Sequence, residues 1–148
     1  YLVREPVERF WSQYCMILRR HPEEAPESLA TVQAFMERGT GPEHSGLRAA
    51  IERWRLGAND ANFGLYFFDE LKADADGLRR RIVGFLGGDP GEWSGALPAD
   101  HNRKASYAKI EMAPAVRDFL VARFADEIRF AAAEFGGPAA TWPAKYGL

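Results

Sequence analysis

The sequence predicts an α/β fold with a parallel sheet, and this chain of 148 residues is expected to cover mainly its helix-rich C-terminal half. Residues 1–3 and 63–68 are apolar runs of the kind found in strands that are buried on both faces. Between and after them lie amphipathic segments with helical spacing. Because two strands are too few for a covered parallel sheet, we expect further strands before Tyr1, and we expect residues 1–148 to be the C-terminal part of a single domain.

The composition narrows the classes of protein to consider. Hydrophobic residues make up 47% and charged residues 27% of the chain, as in globular proteins, and the formal net charge of -2 argues against nucleic-acid binding. The one cysteine, Cys15, is expected to be an inert core thiol and favours a reducing, cytoplasmic location, although an upstream targeting segment stays open. No apolar run is long enough to span a membrane, and the oligomeric state is left open.

The first helix is predicted over residues 6–20. Pro6 suits the first helical position, because its missing N–H would have no partner there. Ser12 lies on the polar side of this helix. The apolar side chains recur on one face at a spacing of three or four residues: Val7, Phe10, Trp11, Tyr14 and Leu18.

Two more helices are predicted before the second strand. Ser28 is expected to cap a helix that ends just before Gly39, and Ser45 to cap another that ends at Gly57. The second of these helices has an apolar stripe formed by Leu47, Ala50, Ile51 and Trp54.

After the second strand, residues 69–76 are predicted as a loop, residues 77–87 as a helix, and residues 88–113 as a long irregular stretch. The apolar residues of this helix that we expect to point inward are Leu78, Ile82, Phe85 and Leu86. The aromatic residues that we expect in the core rather than in a ligand pocket are Trp54, Phe67, Phe68 and Phe85.

The C-terminal part is predicted to contain two helices. The first runs from Pro114 to Phe124, and the second is capped by Asp126 and ends at Gly136. The tail is expected to lie back on the body of the protein through Trp142 and Tyr146.

A buried strand that ends in Arg4 and is followed at once by a helix is suited to binding an anion. The first N–H groups of a helix and the positive end of its dipole favour negative charge. An arginine adds paired hydrogen bonds to a phosphate, and the Ser12 hydroxyl is placed to donate to the same anion. The alternative from the residues alone is that Arg4 pairs with a nearby acid and that Ser12 is solvated.

The segment REPVERFWSQY, residues 4–14, resembles the 3′-phosphate-binding motif of the sulfotransferases that use 3′-phosphoadenosine 5′-phosphosulfate (PAPS). In that family an Arg and a Ser hold the 3′-phosphate of the cofactor, with the separation that Arg4 and Ser12 have here. The resemblance therefore implies these roles for Arg4 and Ser12. Arg9 matches a further Arg of the motif and is expected to orient acids such as Glu5.

Two later segments add to the resemblance, which covers about residues 1–137 in order. LYFFDELKADADGLRRRIVGFLGGDP looks like the family's strand, acidic loop and helix end, with the Asp-Glu-Leu and Phe-Leu-Gly triplets in structural roles. HNRKAS is similar, more distantly, to a loop that closes over the cofactor. That similarity implies that Arg103 and Lys104 also bind the cofactor.

The resemblance implies a P-loop-NTPase-like sulfotransferase fold and transfer of a sulfuryl group from PAPS to a hydroxyl or amine, with adenosine 3′,5′-bisphosphate (PAP) as the product. The acceptor would be a small molecule or a carbohydrate. The chain lacks the family's 5′-phosphosulfate loop and its usual catalytic base, so no catalytic residue is assigned, and Leu47 stands where some relatives have a Tyr.

Two alternatives stay open beside the sulfotransferase. One is a non-catalytic helical interaction module, or a degenerate relative that has lost the transfer reaction. The other is a nucleotide-kinase-like P-loop enzyme, in which lid arginines would resemble Arg4 and Arg9. No metal site is expected, because His21, His44 and His101 are far apart in the sequence.

Overall fold

The computed structural model is mostly helical and contains a small parallel sheet of two strands, which agrees with the α/β class at a coarse level. Residues 1–4 and 52–108 form one compact unit, here the first unit, and residues 5–51 and 109–148 form the second unit. The residues that the structure describes are 1–19, 28–40, 46–58, 62–92 and 110–148.

The elements begin with a short strand that leads directly into a helix. In chain order they are β1 (Leu2–Val3), α1 (Pro6–Leu18), α2 (Leu29–Phe35), a π-helix (Met36–Thr40), α3 (Leu47–Gly57), β2 (Tyr66–Phe67), α4 (Phe68–Ala73), α5 (Ala75–Phe85), α6 (Pro114–Phe135), a 3₁₀-helix (Gly137–Thr141) and α7 (Trp142–Tyr146).

The sheet of the first unit confirms the two predicted strands and their parallel direction. Leu2 lies opposite Tyr66 and Val3 lies opposite Phe67. The Tyr66 N–H donates to the carbonyl oxygen of Tyr1 at 2.9 Å. Of the four paired residues, Val3 and Phe67 are buried, so β1 ends on a buried side chain immediately before Arg4. Leu2 is 49% exposed, so the expectation that the strands are buried on both faces is wrong for β1.

The second strand is shorter than predicted, and the predicted loop at residues 69–76 is wrong. A helix, α4, begins at Phe68, inside the segment expected to be extended. The cause is local, because the Glu70 carboxylate accepts a hydrogen bond from the Phe67 N–H at 2.9 Å. This backbone donor is therefore not free for a longer set of hydrogen bonds between the two strands. The apolar composition of the segment did not reveal this competing interaction.

The helix predicted over residues 77–87 is present as α5, two residues earlier at both ends. It begins early because the Asp74 carboxylate accepts a hydrogen bond from the Gly77 N–H at 2.8 Å. A Cβ atom at position 77 would lie 2.1 Å from Asp74 Oδ2, so a larger residue there would require the Asp74 side chain to move. Gly87, with a φ of 81°, has the left-handed conformation expected at the helix end.

The predicted burial of the first unit is only partly confirmed. Leu78 is buried, as expected. Phe85 and Leu86 are 41% and 73% exposed, and Trp54 on α3 is 59% exposed, so their placement in the core is wrong. Helical periodicity identifies an apolar face, but it does not show whether another element covers that face. Of the irregular stretch at 88–113, residues 88–92 and 110–113 contain no helix or strand, and the rest lies outside the described residues.

The second unit has a continuous aromatic core between α1, α2 and α6. The Phe10 ring lies 5.8 Å from the ring of Phe35 and 5.9 Å from that of Phe124, and Tyr14 packs on Phe35 at 5.1 Å. The predicted apolar face of α1 is therefore confirmed, except that Trp11 is half-buried. Cys15 is buried, and burial raises the pKa of its thiol, as expected of an inert side chain.

The C-terminal helix α6 is continuous, so the predicted break at Asp126 is wrong. Its buried side chains form an unbroken stripe that passes this position: Val116, Leu120, Phe124, Ile128 and Ala131. Asp126 lies on the opposite, exposed side, where it pairs with Arg129 at 3.7 Å and does not interrupt the helix. Gly136, with a φ of 60°, ends the helix as predicted.

The helix that begins after Ser28 has the expected start and an unexpected end. Ser28 Oγ accepts a hydrogen bond from the Thr31 N–H at 3.2 Å, which confirms the N-cap. After Phe35 the backbone widens into the π-helix, and Gly39 lies within it rather than beyond the end. A glycine permits a helix end but does not impose one. The cap predicted at Ser45 lies outside the described residues.

Candidate functional site

Arg4 follows β1 at the carboxyl end of a parallel strand, where ligands of open α/β sheets bind. Its side chain is half-buried in the first unit. The guanidinium carbon lies 4.6 Å from the centroid of the Phe68 ring, a cation–π contact. Lys72 Nζ lies 5.3 Å from the same ring, so Phe68, expected to be a core residue, instead supports two cations.

Glu5 occupies the position where the sequence predicted open N–H groups for an anion. Its carboxylate accepts hydrogen bonds from the N–H of Val7 at 2.8 Å and of Glu8 at 2.9 Å. The side chain is only 1% exposed. The first turn of α1 thus has its own negative charge, and the expectation that these backbone donors are open to a ligand is wrong.

Ser12 lies in the second unit, on the exposed side of α1, as its polar neighbours predicted. The adjacent Trp11 is held on the other side, where its Nε1–H donates to the carbonyl oxygen of Ile110 at 3.3 Å. The Ser12 hydroxyl is therefore at the protein surface on a helix whose rotation is fixed by the core. Arg103 and Lys104, the other two predicted cofactor ligands, lie outside the described residues, as do all three histidines.

Sequence reasoning missed the polar cluster that surrounds the start of α1 in the second unit. The Tyr146 hydroxyl donates to Glu5 Oε2 at 2.7 Å. Lys145 forms an ion pair with Glu8, and Arg117 Nη2 donates to the Lys145 carbonyl oxygen at 3.3 Å. The tail was expected to fold back, and it does, but no local signal in the sequence indicates a partner for Tyr146 that is 141 positions away.

Tyr146 has a strongly perturbed environment. Burial, followed by the hydrogen bond and the negative charge of Glu5 and by the charge of Glu8, raises its pKa well above the usual value. Arg117, whose guanidinium carbon lies 5.3 Å from the tyrosine ring, acts in the opposite direction but more weakly. The hydroxyl therefore stays protonated and remains a donor to Glu5.

A cleft of about 400 Å³ opens in the second unit beside the π-helix. One amide side chain, two side chains of opposite charge and two apolar side chains face it: Gln33, Met36, Glu37, Phe119 and Arg123. Its volume is within the range of small-molecule sites. The sequence did not indicate it, because it depends on the widened backbone after Phe35 and on the packing of a distant helix.

Over the described ranges, no cluster of three or more His, Cys, Asp or Glu side chains is arranged to hold a metal ion. Over the same ranges, no helix combines the length and the apolar character needed to cross a membrane.

Comparisons with known proteins returned no match: no protein family, no curated protein and no solved structure resembles the chain significantly.

Proposed function

We propose that this chain is part of a PAPS-dependent sulfotransferase and that it binds the 3′-phosphate of the cofactor. The observation that supports the proposal is the junction between β1 and α1, where a strand of a parallel sheet ends directly before Arg4 and a helix begins at Pro6. The sulfotransferase motif proposed from the sequence lies on this junction.

The environment of Arg4 is compatible with a phosphate ligand. The cation–π contact with Phe68, at 4.6 Å from the guanidinium carbon to the ring centroid, helps to hold the Arg4 side chain in place. An arginine guanidinium can form paired, charge-assisted hydrogen bonds to phosphate oxygens. In this proposal Arg4 is the main ligand of the 3′-phosphate.

The remaining donors are side chains rather than backbone groups. Because Glu5 already accepts the N–H groups of Val7 and Glu8, the helix start offers little to a phosphate. The exposed Ser12 hydroxyl is proposed as the second donor, and Arg103 and Lys104 as further donors. The specificity for PAPS over simpler adenylates would then depend mainly on Arg4 and Ser12.

In the proposed reaction an acceptor oxygen or nitrogen attacks the sulfur of PAPS, and the bond from sulfur to the 5′-phosphate oxygen breaks. The acceptor loses a proton to a base, and PAP leaves with the electron pair of the broken bond. The described residues would contribute binding and orientation of the nucleoside end of the cofactor. The acceptor class proposed is a small molecule or a carbohydrate.

The test is a calorimetric comparison of PAP, adenosine 5′-phosphate and ATP as ligands. We expect PAP to bind most tightly and Arg4→Ala to weaken PAP binding by roughly 10- to 150-fold, equivalent to about 1.5–3 kcal/mol for hydrogen bonds to a charged group. Arg80→Ala is the matched control, because Arg80 is an exposed arginine of the same unit that pairs with Asp76. An Arg4→Ala protein with unchanged PAP affinity would refute the proposal.

One observation favours the non-catalytic alternative. Glu5 caps α1 and Arg4 makes a cation–π contact with Phe68, so both charges have partners within the protein. A protein that binds none of the three nucleotides would support this interaction module. Tight binding of ATP without a preference for PAP would instead support the nucleotide kinase.

A further inference from the structure

Two side-chain contacts tie the first turn of α1 to the C-terminal segment. Tyr146 donates a hydrogen bond to Glu5 at 2.7 Å, and Lys145 forms an ion pair with Glu8. The partners are 141 and 137 positions apart, and all four residues belong to the second unit. These contacts therefore act between distant parts of the chain within one compact body.

The C-terminal segment provides a fixed support for these contacts. Trp142 is 3% exposed and Ala139 is fully buried, so the segment is anchored in the core of the second unit. Arg117, on α6, donates to the Lys145 carbonyl oxygen at 3.3 Å and lies over the Tyr146 ring. The Tyr146 ring, which belongs to α7, is thus also contacted from α6.

The three hydrogen bonds to Glu5 have different structural roles. Those from Val7 and Glu8 are local and define where the helix begins. The one from Tyr146 comes from another element and defines where that helix start lies within the unit. Because a buried carboxylate needs its full set of donors, loss of the tyrosine hydroxyl leaves an acceptor oxygen under-satisfied at a site that is closed to water.

We propose that Tyr146 is a positioning residue that fixes the first turn of α1 through Glu5, and that Lys145 assists it through Glu8. The consequence for ligand binding rests on the proposed function, because the same helix carries Ser12 and directly follows Arg4. Tyr146 would contact no cofactor atom itself. It would hold in place the segment that supplies the 3′-phosphate donors.

The experiment measures two properties of Tyr146→Phe, which removes the hydroxyl and keeps the ring. Amide hydrogen exchange followed by NMR reports the opening of the first turn of α1 at the Val7 and Glu8 N–H groups. Calorimetry reports the ratio of the affinities for PAP and adenosine 5′-phosphate. Tyr66→Phe is the matched control, because Tyr66 is a half-buried tyrosine of the first unit whose ring packs on Phe85.

The expected result is at least tenfold faster exchange of the Val7 and Glu8 amides, unchanged exchange in the middle of α6, and a three- to tenfold loss of PAP affinity. Adenosine 5′-phosphate should bind as before, because only the 3′-phosphate donors are displaced. A merely structural role would lower the melting temperature and leave the affinity ratio of the folded protein unchanged. Unchanged amide exchange would overturn the fixing of the helix start by Tyr146. If the wild-type protein prefers PAP, altered exchange with an unchanged affinity ratio would overturn the role of Tyr146 in positioning the phosphate donors.

Failure of the proposed function has a different outcome. If the wild-type protein does not distinguish PAP from adenosine 5′-phosphate, the proposed function and the role of Tyr146 in phosphate binding are both refuted. Faster amide exchange in Tyr146→Phe would then still uphold the fixing of the helix start, and unchanged exchange would refute it. Should Tyr146→Phe not fold, Lys145→Met gives the same two measurements, with effects of the same sign and about two- to threefold size.

Discussion

The two units differ in how their apolar residues are covered. In the second unit the apolar stripes of α1, α2 and α6 face one another, and Phe10, Ile51, Leu120 and Ile128 are fully buried. In the first unit the helices have similar amphipathic patterns, yet Trp54, Leu56, Phe85 and Leu86 are exposed. Sequence periodicity therefore predicts the helix and its apolar face, whereas the burial of that face depends on another element that packs against it, which the pattern does not describe.

The same contrast holds for the motif at the start of the chain. Arg4 in the first unit is oriented by an aromatic ring that is close by in the unit, with a cation–π contact. Glu5 in the second unit is held by hydrogen bonds, one of which comes from the other end of the chain. Two adjacent residues of one motif therefore depend on different kinds of interaction, which substitutions can separate.

The largest expected effect is in the core of the second unit. Leu120→Ala, at a position with no solvent exposure, should lower the free energy of unfolding by about 2–5 kcal/mol, because it leaves a cavity in the aromatic core. Leu86→Ala, at a leucine that is 73% exposed, should change it by no more than about 0.5 kcal/mol. Urea unfolding of both variants checks the comparison, and equal losses would show that the Leu86 face is covered in solution.

A smaller effect is expected at the support of Arg4. Phe68→Leu removes the ring face beneath the guanidinium group, and PAP affinity should fall about two- to fivefold, as expected for loss of a cation–π contact of about 0.5–1 kcal/mol. Phe85→Leu, at an exposed phenylalanine of the same unit, serves as the control in the same titration. If both substitutions weaken binding equally, the ring beneath Arg4 has no special role.

The pH dependence of stability should distinguish Tyr146 from an ordinary surface tyrosine. The pKa of Tyr146 is raised in the folded protein, first by burial and then by Glu5 and Glu8, against the weaker effect of Arg117. The protonated hydroxyl therefore makes its full contribution to the stability of the fold below the usual tyrosine pKa of about 10. That contribution should decline as the pH rises above about 10.

Urea unfolding of the wild-type protein and of Tyr146→Phe between pH 7 and pH 11 tests this expectation. The wild type should be the more stable protein up to about pH 10, and the difference between the two should shrink above it. Lys145→Met in both backgrounds tests whether the ion pair between Lys145 and Glu8 contributes to this difference. A difference that stays constant to pH 11 would contradict the role of the protonated hydroxyl.

The smallest effect is expected at an exposed, local cluster of the first unit. The pKa of Asp76 is below its usual value, mainly because its carboxylate accepts a hydrogen bond from Arg79 at 2.9 Å. A hydrogen bond from Arg80 at 2.8 Å contributes less. Arg79→Met should therefore raise the Asp76 pKa, and Arg80→Met should raise it less, as measured by NMR titration of the carboxyl group. The reverse order would show that the two arginines exchange roles in solution.

Local interactions explain what the sequence could predict. Ser28 caps α2, Pro6 begins α1 and Gly136 ends α6 because each acts within one turn of chain, and the apolar spacing of α1 correctly indicated its buried face. Arg4 and Ser12 were proposed as cofactor ligands from a motif on consecutive elements, and that role stays a prediction. Such features need no knowledge of the rest of the molecule.

Competing and long-range interactions explain the errors. The strand expected to continue through Phe68 ends at Phe67, because Glu70 bonds the Phe67 backbone. Asp126 was interpreted as a cap, but an aspartate on the exposed face of a helix with a continuous buried stripe interrupts nothing. The contact between Tyr146 and Glu5 joins the two ends of the second unit, and residue spacing contains no information about it.

The π-helix at Met36–Thr40 has a consequence for chain length. Its i to i+5 hydrogen bonds place one residue more in a turn than an α-helix would hold. Deleting a single residue there, such as Arg38, would remove the extra residue and let the backbone return to α-helical winding. The wall that Met36 and Glu37 contribute to the neighbouring cleft is thus determined by the number of residues in this segment as much as by their identity.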